Sequence, residues 1–258
     1  MSKRCNLILG GGGIRAIAHI GVLDALEEKG FIVDSLCCVS AGSIVGSIYK
    51  KGATQEELYN LALNLDFNKF IQSNGFNFLK GIYKFKSFSP LFKNIKEKER
   101  KFDLYIVSCS AVTGKPVIFK NPKDELLNTA IKASCSLPVL FPPVNYKKDL
   151  LIDGAAWQAV PFNFKKYFTN PNLPTFCVNL QVLLDYPPSK YTPLSLLYRT
   201  FDILQYSLYT NLKSHKDETT YIIESPLEKI DLSSYNPSKE MRKAMMITYK
   251  EQTLKVIE

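Results

Sequence analysis

The chain has 258 residues, 46% of them hydrophobic and 22% charged, with a formal net charge of +9. That length buries a substantial core, and no apolar run approaches the length of a bilayer span, so a transmembrane protein is set aside and a soluble globular one is expected. The cationic excess favours an anionic partner such as membrane lipid, nucleic acid or a phosphate-bearing ligand, and charge alone does not choose among them.

The start, MSKRCNLILGGGG, is basic, but its apolar stretch is too short for a signal peptide, and a cytosolic protein is expected. Six cysteines (Cys5, Cys37, Cys38, Cys109, Cys135 and Cys177) stand mostly in apolar runs. Without a secretory signal they are expected to be reduced and buried. With no CxxC pair and only His19 and His215, no metal site is expected.

In chain order, CNLIL has the pattern of a buried strand. Four glycines follow, and then Ile14, Ile17, Ala18, Val22, Ala25 and Leu26 recur at helical spacing up to Gly30, a C-cap. SLCCV reads as a second strand, leading through Ser40 into a helix with Ala41, Ile44, Val45, Ile48 and Tyr49 on one face. Thr54 and Glu57 form a capping box for a third helix.

Residues 67–96 hold seven phenylalanines and six lysines and no acid. Two readings stand side by side: a small insertion whose rings cover the core, or a cationic aromatic surface against lipid headgroups with rings toward the acyl region. FDLYIVSCSA and PVIF read as strands, KDELLNTAIKAS as a helix opened by Pro122, and DLLID and TFCVNL as two more strands. TPLSLLYRTFDILQYSLYTNLKSHK reads as a helix with Thr192 at the N-cap and Pro193 at N1, apolar over much of its surface. Packing on the sheet is its expected role, with a membrane role as the other. The last helix, PSKEMRKAMMITYKEQTLKVI, either packs on the body or mediates association. Short apolar strands alternating with helices point to an α/β fold, a central mostly parallel sheet flanked by helices on both faces. One domain over residues 1–258 is expected, with an insertion at 67–96 and a helical C-terminal part from about residue 190.

Strand, glycine loop and helix together make an anion-binding arrangement. Gly11, Gly13 and Ala16 fit the dinucleotide pattern G-x-G-x-x-G/A, but the second strand ends in Ser40 and not in an acid, and Asp34 stands at its wrong end. The serine carries more information. CVSAGS sets Ser40 between strand and helix with Gly42 two residues on, the layout of a nucleophile elbow. His19, inside the first helix, reads as a packed or capping residue, and His215 as exposed loop, so a Ser-His-Asp triad is poorly supplied. LLIDGAAW places Asp153 at a strand end before Gly154, where an acid either lines the ligand crevice or only shapes a turn.

GGGGIRA, CVSAG and DGA, in that order, resemble the patatin-like phospholipase family from about Leu7 to about Val160. IKASCSLPVLFPPV and VSCSAVTGKPVIF extend the likeness. The resemblance implies a three-layer α/β/α fold and a metal-independent Ser-Asp dyad without cofactor. Ser40 is then the nucleophile and Asp153 the general base. Gly11, Gly12 and Gly13 form the oxyanion hole, with Arg15, Gly42 and Gly154 in support. Three positions depart from the family pattern: Ala16 and Cys38 replace glycines, and Ser110 stands where an acid is common. The implied activity is hydrolysis of carboxylic esters in phospholipids, lysophospholipids or related acyl lipids. Acyl transfer by the same dyad, a nucleotide-binding protein and an inactive lipid-binding member are the alternatives. The expected partners are a lipid ester and, transiently, an anionic membrane surface, with no nucleic acid. The oligomeric state stays open.

Overall fold

The computed structural model describes residues 3–74, 81–93, 95, 98–181, 192–224 and 237–258. β1 (Lys3–Leu9) passes through the glycine loop and a short 3-10 turn into α1 (Ala18–Glu28). β2 (Phe31–Val39) passes through Ser40 into α2 (Gly42–Lys50), and α3 (Gln55–Asn64) follows with the Thr54–Glu57 capping box formed. β3 (Ile71–Ser73) and β4 (Tyr83–Phe85) pair as a small separate hairpin. Next come β5 (Asp103–Ser110), β6 (Pro116–Lys120), α4 (Asp124–Ser134), β7 (Val144–Tyr146) and β8 (Asp149–Asp153). The chain continues with β9 (Thr175–Val178), α5 (Pro193–Ser214), β10 (Thr220–Ile223) and α6 (Lys239–Ile257).

Among the described residues, eight strands form one sheet. β10, β9, β1, β2 and β5 lie side by side in that order and run parallel. β6 and β8 run antiparallel to β5, and β7 antiparallel to β8. The sheet is therefore mostly parallel, with an antiparallel margin at PVIF and DLLID. The near-continuous apolar runs of β1 and β2 follow from burial on both faces. Side chains alternate between two cores. Leu7, Leu9, Cys38 and Ile106 face α1, α2, α4 and α6, whereas Ile8, Cys37, Val39 and Val107 face residues 155–168 and α5. All six cysteines are buried and free. In α6, Met245 and Met246 are fully buried, so the last helix packs on the body.

In the basic segment, the rings of Phe70, Phe85 and Phe88 do not face outward as the lipid reading has them. Phe70 and Phe88 are buried and stacked, ring centroids 6.1 Å apart, and Phe85 stacks on Phe141 at 3.9 Å. Burying a ring against the protein's own core gains more than leaving it in water, and the lysines take the outside. Lys69, Lys84, Lys86 and Lys93 are exposed. Residues 75–80, 94 and 96 of the segment lie outside the described residues, as do 190–191 and 225–236 of the C-terminal part. Among the described residues no helix is long and apolar enough to cross a membrane.

Candidate active site

β5 sets the geometry of the site. β6 covers one of its edges from Tyr105 to Cys109, which leaves the other edge to β2 and β8. Val39 pairs with Val107, and Asp153 pairs with the next residue, Ser108. The C-terminal ends of β2 and β8 therefore meet head to head along one edge of β5. This brings together two residues separated by 113 positions: Ser40 Oγ donates to Asp153 Oδ2 at 2.7 Å.

Ser40 has φ +52°, in the left-handed region, as a sharp strand-to-helix turn demands. That conformation costs about 1–3 kcal/mol in a non-glycine residue and needs support from its surroundings. Ser134 supplies it. The Ser40 N–H donates to Ser134 Oγ at 2.8 Å, and Ser134 Oγ donates to Val107 O at 2.6 Å. Ser43 donates from both N and Oγ to Ser40 O, at 2.8 and 2.6 Å. α2 passes close under β1: a Cβ on Gly42 would lie 2.6 Å from Leu9 O. Cys38, in place of the elbow's first glycine, is accommodated by a second small residue. Its Sγ fills the space beside Gly46, where an added Cβ would collide with it.

Asp153 is buried, and its own N–H donates to Ser136 O at 2.9 Å. Residues 134–136 thus anchor both members of the pair. Burial pushes the Asp153 carboxyl up to about 7, although hydrogen bonds from Ala155 N–H to Oδ1 (2.8 Å) and from Ser40 pull the other way. Gly154 lies against Val107 with no room for a side chain. Between Ser134 and Ser136, the Cys135 thiol sits beside Ser40 and 3.8 Å from Ser43 Oγ. Burial and the Asp153 charge hold that thiol well above its ordinary value, so it remains protonated.

The glycine loop packs directly on the serine: a Cβ on Gly11 would lie 3.2 Å from Ser40 Cβ. Its three amides are not equivalent. The Gly11 N–H donates to Ala159 O at 2.9 Å and is therefore occupied, which differs from its expected role in the oxyanion hole. The N–H groups of Gly12 and Gly13 have no acceptor among the described residues. Arg15 donates from its backbone N and its Nε to Gly12 O, both at 3.1 Å, which fixes the peptide plane before Gly13. Ala16, at the position of the last loop glycine, is buried in the core.

His19 is packed, as expected, and does more than fill space. It is fully buried, and its Nε2 donates to Gly10 O at 2.8 Å, tying α1 to the glycine loop. Burial lowers its pKa to about 4, so the ring is neutral with the proton on Nε2. Ser134 was missed as a support; the only signal was a small polar residue ending an amphipathic helix. His215 is exposed at the C-cap of α5. Ser110 closes the β5–β6 turn instead of an acid. Its Oγ accepts from Thr113 N–H at 3.0 Å and donates to Asp149 at 2.8 Å, which brings a carboxylate in from β8.

The chain is similar to known proteins over this region. A family model described as Patatin-like phospholipase matches residues 7–164. "Lysophospholipase nte1" of Aspergillus fumigatus is 29% identical over 166 residues, 59% of this chain and 10% of that protein. "Lysophospholipase NTE1" of Candida albicans is 30% identical over 181 residues, 64% of this chain and 12% of that protein. The chain thus spans about a tenth of the length of these curated relatives. VipD from Legionella pneumophila shares the fold, with a TM-score of 0.60 at 13% identity over 99% of this chain and 66% of that one. The glycine loop, Ser40 and Asp153 all lie within the matched span, and the chain belongs to the patatin-like phospholipase family.

Proposed function

We propose that the chain is a serine-dependent lipid acyl hydrolase acting on carboxylic esters of phospholipids, lysophospholipids or related acyl lipids. The 2.7 Å hydrogen bond from Ser40 Oγ to a buried carboxylate carries this reading. An acid raised to about 7 is matched to proton transfer near neutral pH, which an ordinary aspartate is not.

Ser40 Oγ attacks the ester carbonyl carbon while Asp153 Oδ2 takes the hydroxyl proton. The carbonyl oxygen becomes negative and accepts hydrogen bonds from Gly12 and Gly13 N–H, each such donor contributing about 10²–10³ in rate. Gly11, through Ala159, and His19, through Gly10, hold the loop that presents them. The tetrahedral adduct collapses, the C–O bond breaks, and Asp153 returns the proton to the leaving alcohol. Water then attacks the acyl-Ser40 ester, giving one proton to Asp153, which passes it back to Ser40 Oγ as the fatty acid departs.

The printed names of the relatives support a lysophospholipid as one substrate. The charge of +9 supports work at an anionic membrane surface, and six free, buried thiols support a reducing, cytosolic compartment. A fluorophosphonate probe is expected to label Ser40, and lysophosphatidylcholine is expected to release fatty acid. Ser40→Ala abolishes both. A wild-type chain that is neither labelled nor active overturns the proposal.

A further inference from the structure

The 22-residue helix α5 turns an apolar stripe to solvent. Leu196, Leu197, Ile203 and Leu204 are between 44% and 62% exposed, and with Thr200 they recur at i, i+1, i+4, i+7 and i+8. This is not the face that packs on the protein, because Phe201, Tyr209 and Leu212 do that. Further along, the outer face carries Ser207, Thr210 and Asn211, polar and uncharged. The charged residues of the stretch, Arg199 and Asp202, lie off the stripe, and the Asp202 carboxylate interacts with Arg199 and with Arg15 of the glycine loop.

The opposite face of the helix ties it to the site and, through one loop, to a basic hairpin. Gln205 Oε1 accepts from Ala159 N–H at 3.3 Å, and Ala159 O is the acceptor that holds Gly11. Tyr198 Oη donates to Pro138 O at 3.4 Å, in the loop that follows the Ser134–Ser136 anchor. That loop in turn accepts from the β4 hairpin, Ile82 N–H to Val139 O at 3.0 Å and Tyr83 N–H to Leu140 O at 2.8 Å. The hairpin region exposes Lys69, Lys84, Lys86 and Lys93.

We infer that the outer face of α5 is the element that docks on an anionic phospholipid bilayer. Its leucines enter the acyl boundary and the hairpin lysines contact headgroups, which delivers lipid to Ser40. The inference rests on the hydrolase reading and specifies where that enzyme meets its substrate. An apolar stripe joined through the 138–140 loop to a basic hairpin complements anionic lipid, whereas a second copy of a chain with charge +9 would bring like charge to the same surface.

The test is co-sedimentation with phosphatidylcholine vesicles, with and without phosphatidylserine, using the Ser40→Ala chain so that binding is read without hydrolysis. Removing Leu197 and Leu204 from the acyl boundary is expected to lower vesicle partition roughly tenfold or more. Leu197→Ser/Leu204→Ser, made in the active chain, should lose hydrolysis of vesicle lipid to the same degree. It should keep full activity on a soluble short-chain nitrophenyl ester, because both side chains are more than half exposed. Lys84→Gln/Lys86→Gln should weaken binding only to anionic vesicles at low salt. The inference is overturned if the leucine variant partitions as its parent does, if the parent does not bind, or if the leucine change only converts a dimer to a monomer. Absence of soluble-ester hydrolysis in the wild-type chain would instead remove the hydrolase reading and leave the binding result standing.

Discussion

Replacing Asp153 with asparagine separates what the carboxylate does for chemistry from what it costs the fold. Its pKa rises from 3.8 to about 7 on burial. Below pH 4 the carboxyl is protonated in folded and unfolded chains alike, and no penalty exists. From about pH 4 to about 7 the unfolded chain releases the proton while the folded chain keeps it, so stability falls as pH rises. Above about 7 the penalty is constant at on the order of 4 kcal/mol. Asparagine carries no such penalty, and its Oδ1 still accepts from Ala155 N–H. Asp153→Asn is therefore expected to match the wild type near pH 4 and to exceed it at pH 8, with a melting temperature raised by roughly 10 °C. In the same variant, turnover of a soluble ester falls by about 10²–10⁴, because Nδ2 now donates to Ser40 Oγ and no base remains. Thermal scans from pH 4 to 8 read the first effect and ester hydrolysis the second. A stability difference that does not change with pH would refute the burial argument, and retained turnover would refute the assignment of the base.

Three further outcomes are expected. For the wild-type chain, kcat/KM on a soluble ester climbs about tenfold per pH unit below about 7 and levels off above it, as the base ionises; a flat profile across that range contradicts the dyad. His19→Ala leaves Gly10 O without its buried donor and destabilises the chain by about 1–3 kcal/mol. It lowers kcat more than it changes KM, and His19→Gln, which restores an N–H donor, recovers part of the loss. Gly46→Ala drives a Cβ into Cys38 Sγ and costs about 1–3 kcal/mol by denaturant melts. The same change made in a Cys38→Ala background costs far less, and additive effects in that cycle would show that the two positions do not share one space.

Local signals in the sequence were sufficient for the elements and the motifs. The unbroken apolar runs of NLIL and SLCCV marked strands covered on both sides, and Thr54–Glu57 and Thr192–Pro193 marked helix starts where they occur. Relations between distant segments were not legible. That β2 and β8 end against each other is a matter of register on β5, which neither strand encodes alone. The occupied Gly11 amide depends on Ala159, and the support of Ser40 depends on Ser134, 94 residues away. Residues 67–96 have the same composition whether rings face in and lysines out or the reverse; only the packing of Phe85 on Phe141 and of Phe70 on Phe88 decides it. α5 is apolar on more than one side, so periodicity alone did not separate its core face from the outer stripe.

In the proposed mechanism, two side chains suffice where a serine hydrolase commonly uses three. A third residue ordinarily orients the base and stabilises the charge it gains. In that mechanism the base is anionic before it takes the proton and neutral after, so no charge on it has to be stabilised in the transition state. Orientation comes from the backbone: Ala155 N–H holds Oδ1, and Asp153's own amide is fixed on Ser136. What a carboxylate lacks is basicity, and burial supplies it by making the ionised form unfavourable. The same burial opposes folding at neutral pH, and the strained φ of Ser40 adds to that opposition. Both are sustained by an unbroken core beneath the site, in which β1, β2 and β5 are buried nearly throughout.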